Sequence, residues 1–128
     1  KRHRNLSKAI WAAFDCWSEQ GNIKMNVRDI NLRSHAVTAA SISNGGAKKL
    51  QDWCEKNADL TLGIGLGMAD QEDSTIHNFF RIGHMGHINA TMILGVISTI
   101  DVAFKALKIP HGQFALEAAT NTLAKTYK

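Results

Sequence analysis

Two hydrophobic periods alternate along the chain. Leu6, Ile10, Phe14 and Trp17 recur at helical spacing while Lys8, Asp15 and Glu19 turn away. An amphipathic helix is therefore predicted over Asn5–Glu19, stopped by Gly21. Ile23–Val27 alternates with period two and reads as a strand. A polar connection, Arg28–Arg33, leads to a second strand of small and β-branched residues, Ala36–Ile42. After the turn Asn44-Gly45-Gly46, Leu50, Trp53 and Cys54 mark one face of a helix over Ala47–Asn57. Leu60–Ile64 is a third strand, Ala69–Asn78 an exposed acidic loop, and Ile76–Gly83 has the apolar density of a fourth strand. Asn89 is placed to cap a long helix with Ile93, Ile97, Ile100, Phe104 and Leu107 as its buried stripe, ended by Pro110 and Gly112. A last helix runs from Gln113 to about Lys125 around Phe114, Leu116 and Leu123.

The order is α-β-β-α-β-β-α-α. Strands grouped with helices, without strict βαβ alternation, predict an α+β fold: a small, mostly antiparallel sheet of about four strands with helices packed on one face. The 128 residues are 45% hydrophobic, enough for a single domain with a real core. The net charge of +4 is concentrated at the ends, in Lys1, Arg2 and Arg4 and in Lys125 and Lys128. No central basic patch interleaves with aromatics, so nucleic acid is not the expected partner. No apolar run approaches the roughly 20 residues of a membrane span, and no membrane association is expected. Cys16 and Cys54 form no CxxC and each adjoins a tryptophan. They read as reduced core thiols, which places the protein in the cytoplasm. The chain opens on Lys1 directly into a helix, as a segment of something longer would.

Candidate chemistry is sparse. Gly63, Gly65 and Gly67 alternate in G-x-G-x-G, but the dinucleotide fingerprint is G-x-G-x-x-G opening a helix. A tight turn or a close backbone approach explains these glycines better. His84 and His87 could meet on one helical turn, yet Gly83 and Gly86 interrupt any helix there and no third ligand is indicated; no metal is assigned. Arg81 stands out, a permanent cation inside the apolar run Phe79-Phe80-Arg81-Ile82-Gly83. Burying its guanidinium requires an anion, and its planar fork matches a carboxylate. Two readings are open: an internal ion pair, or a ligand-binding cation. Gly83 and Gly86, which leave space beside the guanidinium, favour the second.

The segment Phe80-Arg81-Ile82-Gly83-His84-Met85-Gly86, followed by Asn89 and the helix MILGVISTIDVAFKALKIPHG, resembles the C-terminal region of class V aminotransferases. The nearest branch is that of alanine–glyoxylate and serine–pyruvate aminotransferases, fold-type I enzymes that use pyridoxal 5'-phosphate. LGIGLG, RSHAVTA and the opening helix fit the same pattern. The resemblance implies that residues 1–128 are the small domain of such an enzyme, with the large cofactor-binding domain and its Schiff-base lysine outside this chain. It implies that Arg81 holds the α-carboxylate of a small amino acid or keto acid, with Gly65, Gly67 and Gly83 lining the site. It further implies a homodimeric parent enzyme whose large domain is this chain's partner, the chain alone being inactive. Two departures are visible: the loop Met68–Asn78 is long and acidic, and His87 stands where an acidic residue is expected. The alternative is a stand-alone carboxylate-binding or regulatory module without catalysis.

Overall fold

A computed structural model describes residues 1–65 and 72–127. Among these residues, four α-helices and four strands follow the predicted order: α1 (Arg2–Trp17), β1 (Ile23–Met25), β2 (Val37–Ile42), α2 (Gly46–Ala58), β3 (Gly63–Ile64), β4 (Phe79–Gly83), α3 (Ala90–Ala106) and α4 (Ala115–Ala124). The sheet order is β1-β2-β4-β3 and every neighbouring pair is antiparallel. β2, α2 and β3 thus make a β-α-β unit split by β4, which is inserted between the two parallel strands. The α+β architecture with helices on one side of the sheet is as predicted.

The alternation of β2 and β4 shows why one face is covered. Thr38, Ala40 and Ile42 of β2 and Phe80 and Ile82 of β4 are buried under the helices. They join Phe14 and Trp17 of α1, Leu50 and Cys54 of α2, and Ile93, Ile97, Ile100 and Phe104 of α3 in one core. Aromatic packing runs through it, with Trp17 edge-on to Phe14 and to Phe104 at centroid separations of 5.1 and 5.3 Å. Among the described residues no helix is long and apolar enough to cross a membrane.

Three local expectations are corrected. Residues Ser74–Asn78 form a 3-10 turn begun by the Asp73 side chain, which accepts from the Thr75 amide at 2.9 Å. β4 therefore starts at Phe79 rather than Ile76. In α4 the buried positions are Ala115, Ala119 and Leu123, while Phe114 and Leu116 face solvent. α3 stops at Ala106, before Pro110, and Gly112 packs against the end of α1 instead of breaking a helix. Of the acidic loop, residues 72–75 are exposed; the part before them lies outside the described residues.

Candidate functional site

The uncovered face of the sheet carries the residues that alternate with the core. In β2 these are Val37, Ala39 and Ser41; in β4 they are Phe79, Arg81 and Gly83. Register sets Arg81 between Ala39 on β2 and Gly63 on β3. Both neighbours are small, so a long side chain on the middle strand can lie across the sheet. Arg81 does so: its Nε donates to the Ile64 carbonyl at 2.7 Å. Added at Gly63, a Cβ would sit 3.2 Å from the Arg81 Cβ and 3.5 Å from its Nε. At Gly83 nothing lies within 4 Å of the corresponding position.

Arg81 is half-buried. Among the described residues the carboxylates in ion pairs are Asp52, with Lys48, and Asp101, with Lys105 and His111. None is spent on Arg81. Among the described residues no carboxylate lies within ion-pair distance of Arg81, so none of them makes the internal pairing.

The structure places the other sequence-derived candidates as follows. Gly65 is buried directly after β3, and Gly67 lies outside the described residues. Gly63, expected in the third strand and explained there by a tight turn or a close backbone approach, is the glycine in contact with Arg81. No composition signal marks it; only the β3–β4 register does. His84 is fully buried and occupied on both ring nitrogens. Its Nδ1–H donates to the His35 carbonyl at 3.0 Å, so its Nε2 is the acceptor for the Thr38 hydroxyl at 2.9 Å. Thr38 Oγ1 in turn accepts from the Trp11 indole at 3.1 Å. Burial holds the His84 imidazole below its ordinary pKa, consistent with a neutral ring in this chain of donors. It is a core tie between α1, β2 and β4, and its partner in the GHMGH motif, His87, is exposed. Among the described residues no three His, Cys, Asp or Glu side chains gather for a metal.

The described residues of this chain do not fit pyridoxal phosphate. Every described lysine is exposed to solvent, and none is placed in the sheet beside Arg81. A cavity of about 410 Å3 between the start of α1 and the end of the chain shares no lining residue with Arg81 or its neighbours.

No family model matches the chain. Among curated proteins it is 27% identical to the L-aspartate–glyoxylate aminotransferase of Paracoccus denitrificans over 85% of the chain and 25% of that protein. It is 28% identical to the serine–glyoxylate aminotransferase of Arabidopsis thaliana over 94% of the chain and 28% of that protein. It is also 24% identical to a soluble hydrogenase 42 kDa subunit of Anabaena cylindrica, over 99% of the chain and 29% of that protein. In fold, a ureidoglycine–glyoxylate aminotransferase from Bacillus subtilis superposes with a TM-score of 0.77 at 18% identity, over 96% of this chain and 30% of that one. The chain thus spans between a quarter and a third of the length of each of these proteins. In sequence it is similar to glyoxylate aminotransferases, and in fold it matches part of one, so the resemblance to the alanine–glyoxylate/serine–pyruvate branch of class V aminotransferases stands.

Proposed function

We propose that this chain is the small, C-terminal domain of a pyridoxal-phosphate-dependent aminotransferase and that Arg81 is its substrate-carboxylate clamp. The parent enzyme moves an amino group between a small amino acid and an α-keto acid. Both substrates carry the same carboxylate beside the reacting carbon, so one guanidinium serves both half-reactions. The observation that carries the reading is Arg81 on the uncovered sheet face, with its terminal nitrogens unspent on any described carboxylate.

The division of labour follows from what this chain has. Its described residues supply a cation and a flat, small-residue floor formed by Ala39, Gly63 and Gly83. They do not supply a site for pyridoxal phosphate, so the amine-transfer chemistry belongs to a large domain that packs over this face. A paired fork fixes both the position and the rotation of a bound carboxylate, and orientation of that kind is a large part of rate acceleration. Gly65, directly after β3, lines the approach in this reading, and the resemblance assigns Gly67 to the same site. The resemblance carries a homodimeric assembly with it, and the two free cysteines support a cytoplasmic setting.

The test is Arg81→Ala in the full-length enzyme. Losing two charge-assisted hydrogen bonds, at roughly 1.5–3 kcal/mol each, raises KM for the amino acid by about 100-fold or more. Cofactor absorbance is expected to stay as in the native enzyme. An unchanged KM removes the clamp role.

A further inference from the structure

Resting on the clamp reading above, we infer that Gly63 and the Ile64 carbonyl are a positioning pair that dictates how Arg81 meets its ligand. A guanidinium can offer a carboxylate two different forks: the side edge, Nε with one Nη, or the end, both Nη groups. Here the side edge is already engaged. Nε donates to the Ile64 carbonyl at 2.7 Å, a short and well-formed bond. What remains for a ligand is the end fork, which accepts a planar carboxylate in line with the long axis of the side chain.

Reaching that geometry depends on residue 63. β3 runs beside β4 with Gly63 opposite Arg81, so any side chain there would project from the same face. An added Cβ would stand 3.2 Å from the Arg81 Cβ, 3.3 Å from its carbonyl oxygen and 3.5 Å from Nε. The contacts to the Arg81 Cβ and carbonyl oxygen are tighter than ordinary packing, so the root of the arginine would have to give by a few tenths of an ångström, while the contact to Nε is an ordinary one; a branched side chain reaching further over the same face would press on the guanidinium itself. Gly63 has no positive φ that would demand glycine for backbone reasons. The requirement for glycine is therefore steric, and it is set by Arg81. This has a consequence that separates positioning from stability. Valine favours a strand over glycine, so Gly63→Val stabilises or leaves unchanged the strand while it displaces the guanidinium.

The experiment has two arms. In the 15N-labelled chain, the Arg81 Nε–H resonance is followed in the native protein, in Gly63→Ala and in Gly63→Val, with thermal midpoints recorded alongside. The expected result is an Nε–H protected from exchange by about tenfold or more in the native chain, the effect of one net hydrogen bond. Protection falls in Gly63→Ala and is lost in Gly63→Val, with a midpoint no lower than native for valine. An Nε–H that stays equally protected in both variants overturns the proposal; should the valine variant not fold, the alanine variant alone decides. In the full-length enzyme, the same substitutions are expected to raise KM for the amino acid about tenfold with kcat changed less than KM. If Arg81→Ala raises KM and Gly63→Val does not, the positioning pair is wrong and the clamp stands. If Nε–H behaves as expected while Arg81→Ala leaves KM unchanged, the clamp reading is what fails.

Discussion

His84 illustrates how a polar side chain becomes structural when its register is right. Its ring is enclosed, and the network from the Trp11 indole through Thr38 Oγ1 to His84 Nε2 requires a neutral imidazole. Burial is the largest influence on its pKa and lowers it from 6.5, with the nearby charges of His35 and His3 acting the same way and its hydrogen bonds opposing them. The folded-state pKa thus lies below the unfolded one, and in the interval between them the unfolded chain binds the extra proton. The stability contribution is complete above about pH 6.5 and declines as pH falls through and below that value. The thermal midpoint is expected to drop between pH 7 and pH 5. In His84→Asn, which keeps a donor near Nδ1 and cannot titrate, that slope should flatten; an identical slope would mean another group is responsible. The spacing of His84 and His87 gave no access to this role, because it depends on β4 lying against β2. Arg81 was legible for the opposite reason: a permanent charge in an apolar strand is anomalous in any register. Gly63 carries no chemistry of its own, and only its pairing with Arg81 makes it matter.

Elements were legible where their periodicity was long, and blurred where an end is made by contacts. The cores of α1 and α3 and the order of all eight elements follow from the pattern of Leu, Ile, Phe and Trp. The end of α3 does not, since it closes in a Schellman motif with a lysine in the position glycine normally takes. Lys108 has φ 56°, its amide donates to the Lys105 carbonyl, and the Ile109 amide reaches the Phe104 carbonyl at 2.9 Å. Gly112, four residues further on, seats the α3–α4 connector on the C-terminal end of α1. Its amide donates to the Trp17 carbonyl at 3.2 Å, while the Asn22 and Gln20 side chains donate to the carbonyls of Pro110 and His111 at 2.8 and 3.1 Å. A Cβ at Gly112 would overlap the Cys16 carbonyl oxygen. Gly112→Ala is therefore expected to lower the denaturant midpoint by the equivalent of about 1–3 kcal/mol, the cost of overpacking a filled interface. A loss within about 0.5 kcal/mol, typical of neutral surface changes, would show that the connector slides freely over α1.

At the scale of the whole molecule, the surface asks for a partner. Leu32, Ile64, Met92, Val102, Phe114 and Leu116 are all exposed, and a longer aminotransferase of the kind proposed would cover part of this area with its remaining domain. Phe114 is the most informative of them. It is 71% exposed and has φ 71° at the residue preceding α4, a backbone region that bulky side chains rarely adopt. Its ring gives little back to this chain for that strain, which costs on the order of 1–3 kcal/mol at such positions. An asparagine tolerates the left-handed region and is a favoured residue at helix starts. Phe114→Asn should therefore raise the thermal midpoint of the chain by a few degrees, roughly what 1 kcal/mol gives in a domain near this size. Because it also removes an exposed aromatic ring, it should reduce self-association in sedimentation velocity, where the native chain is expected to associate as concentration rises. The two readouts move in opposite senses if Phe114 is retained for an external contact: the chain gains stability and loses stickiness. A lower midpoint would instead place the ring among this domain's own stabilising contacts, and a native chain that stays monomeric at high concentration would leave its exposed apolar surface without the partner argued for here.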